Sequence, residues 1–261
     1  MTRAVVLAAG EGTRLRPLTA DRPKCLVPFA GAPLLAWQLA ALARAGIDDV
    51  TIVTGYRAEA ITVGTRRVHN EHFATTNMVA SLMCAREQFD GGDDVVIAYG
   101  DIVCEPRLLA ALTATRGPVG VVVDREWRRL WELRMEDPLA DAETLRCDDD
   151  GFLTELGRRP RTLADIEAQY VGLVLVRADF AAAWCGWYDG LDPQAEYEGR
   201  DRDHMFMTAF LQLLIDGGVA VDAVPVDGGW FEVDTVEDLM VYEQMATDGR
   251  LAAILDLAAI R

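Results

Sequence analysis

Lys24 is the only lysine among the 25 cationic side chains of a 261-residue chain that otherwise uses arginine. An ammonium on a thin stem fits between crowded oxygens where the planar fork of a guanidinium does not. Its surroundings run Gly10-Glu11-Gly12-Thr13-Arg14-Leu15-Arg16-Pro17-Leu18-Thr19 and then Arg22-Pro23-Lys24. The chemistry such a stretch supports is the holding of a polyphosphate. Gly10 and Gly12 let backbone N–H groups approach phosphate oxygens without a Cβ in the way. Thr13 supplies a hydroxyl, and Arg14 and Lys24 neutralise charge that builds on a leaving polyphosphate. The plain alternative is one lysine surviving by chance in an arginine-rich composition, and the loop around it weighs against that. Two rival phosphate loops do not fit. A Walker A loop needs a lysine directly after its last glycine, and a dinucleotide fingerprint needs a third glycine where Leu15 stands and an acidic residue at the end of the second strand, which here reads Val53-Thr54-Gly55.

These residues need a sheet to hold them. Ala4–Ala9 reads as a buried first strand, and 10–32 as a long Gly/Pro-rich loop. Pro33 opens a helix to about Ala45, with Gly46 as its stop. Val50–Thr54, a segment near Arg67–Asn70, Asp94–Tyr99 and Val119–Val123 read as further strands. Helical stretches lie between them at Asn77–Phe89 and Pro106–Thr115. This alternation predicts a Rossmann-like α/β fold: a mostly parallel central sheet with flanking helices. The second half is less regular. Leu133–Glu136, Thr144–Cys147 and Phe152–Leu156 read as short antiparallel strands, a small extension covering one edge. Tyr170–Val176, Val219–Val224 and Trp230–Val233 read as strands, and Asp203–Asp216 and Thr235–Thr247 as helices. Residues 1–261 are expected to form one domain, with no repeat or linker.

Composition narrows the partners. The formal charge is −17, which argues against a nucleic-acid polymer, since that needs a broad basic surface. Residues 1–24 reverse the balance, with Arg3, Arg14, Arg16, Arg22 and Lys24 against Glu11 and Asp21. One local basic loop on an acidic protein suits a small polyanion such as a nucleotide. No apolar run approaches the ~20 residues of a membrane span, so no membrane association is expected. The 5 cysteines are odd in number and have no CxxC spacing; a reduced, cytoplasmic protein is expected. A homodimer is left open.

The stretch Leu7-Ala8-Ala9-Gly10-Glu11-Gly12-Thr13-Arg14-Leu15-Arg16-Pro17-Leu18-Thr19 through Arg22-Pro23-Lys24 resembles the signature of the nucleotidyltransferases that make nucleotide-activated sugars and alcohols. The similarity continues at Val53-Thr54-Gly55-Tyr56, Tyr99-Gly100-Asp101 and Trp230-Phe231-Glu232-Val233-Asp234-Thr235. The resemblance implies that Leu7, Ala8, Ala9, Gly10, Gly12, Thr13, Arg14, Lys24, Gly55, Tyr56 and Gly100 line a nucleotide site. It also implies that Lys24 contacts phosphate and that Asp101 and Asp234 hold Mg²⁺, making Lys24, Arg14, Asp101 and Asp234 the catalytic set. Asp101 follows a buried strand, where open parallel sheets place ligands, and Mg²⁺ is commonly held by one or two carboxylates plus substrate phosphates. As plain alternatives, Asp234 caps the helix at Thr235 and Asp101 is a polar strand end. Glu232, Glu237 and Asp238 are acidic neighbours without an assigned role.

The implied reaction is attack by an acceptor phosphate or phosphonate oxygen on the α-phosphorus of a nucleoside triphosphate, with release of pyrophosphate. No general base is needed, because a phosphate monoester has its second pKa at about 6. Asn70 and Thr76-Asn77 through Ser81-Leu82, with Met207–Leu214, are more similar to the phosphocholine and phosphonate cytidylyltransferases than to the sugar-1-phosphate enzymes. CTP is therefore the expected donor. Asn77 and Ser81 are candidates to read the base, with an N-cap and a small packing residue as the alternatives. For the acceptor, Trp131, Tyr170, Trp187, Tyr188 and Asp189 are candidates, because aromatic faces and a carboxylate suit an ammonium head. Trp127, Trp184 and Tyr197 belong to the same pool, and core packing is the alternative for all of them. A sugar-1-phosphate nucleotidyltransferase using UTP, GTP or dTTP and a catalytically silent nucleotide-binding domain are the competing readings.

Overall fold

The computed structural model describes residues 1–261. The first half follows the expected alternation: β1 (Thr2–Ala8), a small hairpin of β2 (Pro28–Phe29) and β3 (Ala32–Pro33), α1 (Leu34–Arg44), β4 (Val50–Thr54), β5 (Arg66–His69), α2 (Met78–Met83), β6 (Asp94–Tyr99), β7 (Ile102–Cys104), α3 (Pro106–Thr113) and β8 (Val119–Asp124). The second half holds α4 (Trp127–Arg134), β9 (Leu145–Cys147), β10 (Leu153–Leu156), β11 (Gln169–Val176), α5 (Ala181–Asp189), α6 (Met207–Asp216), β12 (Val221–Val226), β13 (Trp230–Glu232), α7 (Val236–Asp248) and α8 (Leu257–Ile260).

Seven strands form the main sheet in the order β12-β8-β11-β6-β1-β4-β5. All neighbours are parallel except β11, which runs antiparallel to both β6 and β8. The sheet is a mostly parallel α/β structure, and its one reversed strand lies inside rather than at an edge. Both faces of the central strands are covered, which explains their continuous apolar runs. One core contains α1, α3, α4 and α7 side chains, including Leu34, Leu109, Trp131 and Tyr242. The opposite core contains α2, α5 and α6 side chains, including Leu82, Trp184 and Phe210. The β9–β10 hairpin is the small antiparallel extension, and Phe152 bridges to Asp222 on the edge strand β12.

Three expectations need correction. Leu133–Glu136 is not a strand: Leu133 and Arg134 close α4. Trp127, Leu130 and Trp131 recur at helical spacing and are buried, and Arg134 continues that face one turn on. Asn77–Phe89 is not one helix either. α2 ends at Met83, and only a single 3₁₀ turn, Arg86–Gln88, follows. Asp203–Asp216 begins later than expected, at Met207.

Candidate active site

The sheet presents the carboxyl ends of β1, β4 and β6 side by side, since β1 pairs in parallel with both. The loops leaving those ends carry Gly10, Gly55 and Gly100-Asp101. A cleft of about 180 Å³ opens there. It is lined by Leu7, Ala8, Ala9, Gly10, Lys24, Cys25, Phe73, Thr76, Asn77, Met78, Ser81, Tyr99, Gly100 and Asp101. Most of the sequence-derived nucleotide residues thus line one cleft. Gly12, Thr13, Arg14, Gly55 and Tyr56 do not line it directly.

Gly12 and Gly55 act by close packing. Gly12 has φ +64°, and a Cβ there would stand 2.8 Å from Lys24 Cβ. Its carbonyl accepts from the buried Thr19 hydroxyl at 2.9 Å. A Cβ on Gly55 would stand 2.5 Å from Phe73 Cβ and 2.7 Å from the Ala9 carbonyl. Tyr56 ties the loops together, its N–H donating to the Ala9 carbonyl and its hydroxyl to the Ala20 carbonyl, each at 3.0 Å. Gly10 is different, because nothing lies within 4 Å of its missing Cβ, and it leaves open space at the mouth of the cleft. Gly12→Ala is expected to cost roughly 1–2 kcal/mol for the left-handed backbone and to push the Lys24 stem aside. Turnover should fall at least about tenfold for a displaced catalytic group, while the melting temperature drops by only a few degrees. Steady-state kinetics paired with thermal denaturation checks both.

Lys24 and the two aspartates come together. Lys24 Nζ donates to Asp101 Oδ2 at 2.6 Å and to Asp234 Oδ1 at 2.5 Å. A two-stranded ladder causes this: β13 pairs antiparallel with β7, placing Glu232 opposite Ile102. The Val233 N–H then donates to the Asp101 carbonyl at 3.2 Å. The cap of α7 is Thr235, whose hydroxyl accepts from Asp238 N–H. Asp234 is thereby free of the capping role that was its alternative reading. Burial disfavours the Lys24 ammonium, but Asp101 and Asp234 outweigh it and hold this lysine above its ordinary range. Burial likewise disfavours the Asp234 carboxylate, and Lys24, then Arg14 and Arg134, hold it below the usual range. Beside them, burial, with the Asp101 charge, pushes the Cys25 thiol up to about 12.

Arg14 is mostly exposed and reaches Asp234 Oδ1 at 3.0 Å. A second arginine escaped the sequence analysis. Arg134, its side chain only 3% exposed, meets Glu232 Oε1 at 2.5 Å, Asp238 Oδ1 at 3.2 Å and Asp234 Oδ2 at 3.3 Å. Its guanidinium lies 5.5 Å from the Trp131 ring centroid. Arg134 engages one oxygen of Asp234, Oδ2, and the other, Oδ1, meets Lys24. The available signal was position: Arg134 falls seven residues after Trp127, on the apolar face of α4. Arg134→Met removes a buried cation from three carboxylates and is expected to destabilise the fold by about 3–5 kcal/mol, read as a shifted denaturant midpoint at unchanged slope.

A metal was implied by resemblance. The residues fit a hard divalent cation, because Asp101 Oδ1 is buried without a hydrogen-bond partner, beside a second carboxylate on the same ammonium. No larger group of three or more His, Cys, Asp or Glu side chains is arranged for a metal. Two carboxylates are a share that Mg²⁺ takes from a protein when phosphates and water complete its shell.

The expected acceptor set does not assemble. Trp131 is core, packed on Trp127 and Trp230. Trp187 fills the space beside Gly217 at the end of α6. The Tyr188 ring carries Arg202 at 5.4 Å, and Asp189 pairs with Arg86 at 2.7 Å. α5 packs its aromatic residues onto the core of the sheet face it covers, Trp184 being fully buried. Tyr170 comes nearest, packing behind the cleft wall with its ring edge-on to Tyr99 at 5.8 Å, but it does not line the cleft. On the opposite wall Asn77 caps α2: its Oδ1 accepts from Met78 N–H and its amide donates to the His204 carbonyl.

Known proteins are similar to this chain in sequence and fold. A family profile for the MobA-like NTP transferase domain matches residues 4–164. CTP:phosphoglutamine cytidylyltransferase of Campylobacter jejuni is 36% identical, over 91% of this chain and 98% of its own length. CMP-5'-(3-aminopropyl)phosphonate synthase of Streptomyces rubellomurinus is 38% identical over 59% of this chain and 24% of its own. The solved CTP:phosphocholine cytidylyltransferase of Streptococcus pneumoniae has the same fold, with a TM-score of 0.72 at 24% identity over 94% of this chain and 99% of that one.

Proposed function

The chain belongs to the family of MobA-like NTP transferase domains, and from that premise we propose that it transfers CMP from CTP to a small phosphorylated alcohol or phosphonate, releasing pyrophosphate. The observation that carries this reading is the Lys24 ammonium held between Asp101 and Asp234 at the end of the cleft. Together these groups can neutralise and align a polyphosphate. CTP is favoured over other donors because the relatives of C. jejuni and S. rubellomurinus are named for CTP or CMP transfer.

The protein supplies position and charge. Leu7, Ala8 and Ala9 form the apolar wall against which the nucleoside lies, and Gly10 keeps the phosphate end open. Lys24 turns from its carboxylates to the phosphates, and exposed Arg14 follows the leaving pyrophosphate. Asp101 and Asp234 would hold Mg²⁺, which when bound neutralises phosphate oxygens and so favours attack at phosphorus. No side chain needs to remove a proton, since a phosphate or phosphonate acceptor is already anionic at neutral pH. Rate enhancement then comes from alignment and electrostatic stabilisation.

The deciding experiment is a matrix of donors against acceptors, read by pyrophosphate release. Donors are CTP, UTP, GTP and dTTP; acceptors are phosphocholine, phosphoethanolamine, 2-aminoethylphosphonate and glucose 1-phosphate. The largest kcat/KM is expected for CTP with one of the first three acceptors, and only with Mg²⁺ present. A largest value for a hexose 1-phosphate would assign the chain to the sugar-activating enzymes instead. No pyrophosphate under any combination would leave a silent nucleotide-binding protein.

A further inference from the structure

The base-facing wall of the cleft has a hydrogen-bond polarity that the structure settles. Asn70, 3% exposed, follows β5, and its backbone N–H donates to the Thr54 carbonyl at 2.8 Å. Its side-chain Oδ1 accepts from the His72 N–H at 2.9 Å. That contact fixes the amide orientation, because an amide nitrogen there would oppose another donor. Nδ2 therefore faces the other way, donating to Thr76 Oγ1 and Ser81 Oγ, both at 2.9 Å.

The two hydroxyls then differ. Thr76 accepts from Asn70 and donates to the His72 carbonyl at 2.9 Å, so it is satisfied in both senses. Ser81 accepts from Asn70 and donates to nothing in the chain. Ser81 is 5% exposed and lies on the cleft wall. A buried hydroxyl that already accepts one hydrogen bond and finds no acceptor for its proton in the chain favours a ligand atom that can accept it. The remaining polar side chains nearby are engaged: Asn77 caps α2, and the Tyr99 hydroxyl points at Met78 Sδ at 2.8 Å.

We infer that Ser81, with its polarity set by Asn70, selects cytosine over uracil by donating its hydroxyl proton to the pyrimidine N3. Cytosine N3 carries a lone pair and accepts this proton. Uracil N3 carries a hydrogen, which the second Ser81 lone pair can accept only with the serine proton turned away from the base, where the chain offers it no acceptor and one buried donor is left unpaired. Asn70 is the positioning residue. Its Nδ2 occupies one Ser81 lone pair and offers the serine proton no acceptor, which leaves the ligand as the place for that proton. The inference rests on the proposed transfer only in placing the donor's base in this cleft.

The test measures binding of CTP and of UTP by titration calorimetry, without acceptor, so that turnover plays no part. Wild type, Ser81→Ala and Asn70→Asp are compared, each checked for folding by thermal denaturation. Wild type should favour CTP clearly. Ser81→Ala should cut the CTP:UTP affinity ratio by about tenfold, the value of one hydrogen bond made or left unpaired, mainly through weaker CTP binding. Asn70→Asp turns a donor into an acceptor, so the Ser81 proton swings to the carboxylate and its lone pair faces the base. The ratio should fall further, with UTP gaining in absolute affinity. If Asn70→Asp does not fold, Ser81→Ala decides alone. An unchanged ratio in Ser81→Ala overturns the inference and leaves nucleotidyl transfer standing, as does a wild type that binds both pyrimidines equally. A wild type that binds no nucleotide overturns both.

Discussion

Asp101→Ala is expected to lower kcat/KM by about a thousandfold while moving the melting temperature of the ligand-free protein by only a few degrees. The activity loss follows from the two oxygens of this side chain. Oδ2 holds Lys24 at 2.6 Å, and Oδ1 is buried with no partner in the chain. A catalytic cation is worth several kcal/mol of charge stabilisation, and each 1.4 kcal/mol is tenfold in rate. The small stability effect follows from redundancy: Lys24 keeps Asp234 at 2.5 Å, so its ammonium is not left alone. In a chain of this size 1 kcal/mol shifts the melting temperature by about 2–4 °C. Pyrophosphate-release kinetics across a Mg²⁺ titration, beside calorimetric melting, measures both. Activity within a few-fold of wild type would remove Asp101 from the reaction, and a large loss of stability would make it a structural residue.

Lys24→Arg is expected to lower kcat by about a hundredfold to a thousandfold, the range for loss of one preorganised donor at a site of developing charge, with the fold retained. Charge is conserved in this substitution, so it isolates shape. Gly12, in its left-handed conformation, already meets the Lys24 stem closely enough that a methyl group would overlap it. The ammonium sits within 2.6 Å of two carboxylates from different elements. A guanidinium is broader and projects further, and its fork would push Asp101 and Asp234 apart. Near wild-type kcat in Lys24→Arg would show that only the charge matters. A loss confined to KM would place Lys24 in nucleotide binding rather than in the reaction.

Much of the site was legible because the chain carries its phosphate loop as one continuous stretch. Gly10, Gly12 and Lys24 are local in sequence, and glycine conformational freedom is a property a residue brings with it. The central strands were legible for a similar reason: Val50–Thr54 is wholly β-branched and Val95–Ala98 is apolar without alternation, as suits strands buried on both faces. The acceptor candidates Trp187, Tyr188 and Asp189 are not brought to the cleft. An aromatic cluster next to a carboxylate has the same composition whether it faces a ligand or a core, and in α5 the ring faces and the charge are taken by Gly217, Arg202 and Arg86.

By itself the sequence determined which groups are available: one compact ammonium, a loop able to approach phosphate, and acidic residues after strands. Only the tertiary structure decided which of those acids meet the lysine. Asp101 and Asp234 become neighbours through the ladder between β7 and β13, and no local pattern encodes the register between two strands so far apart in the chain. Arg134 shows the same limit. Its burial depends on β13, the turn at Asp234 and α7 closing around it, and only that closure makes a surface-like residue the cation that pairs with Asp234. The direction of the Ser81 proton is likewise a tertiary property. It depends on the Asn70 amide being read by a backbone N–H on one side and by two hydroxyls on the other. Hydrogen-bond polarity at a buried site is set by the whole network around it, because each group there has a partner or a cost.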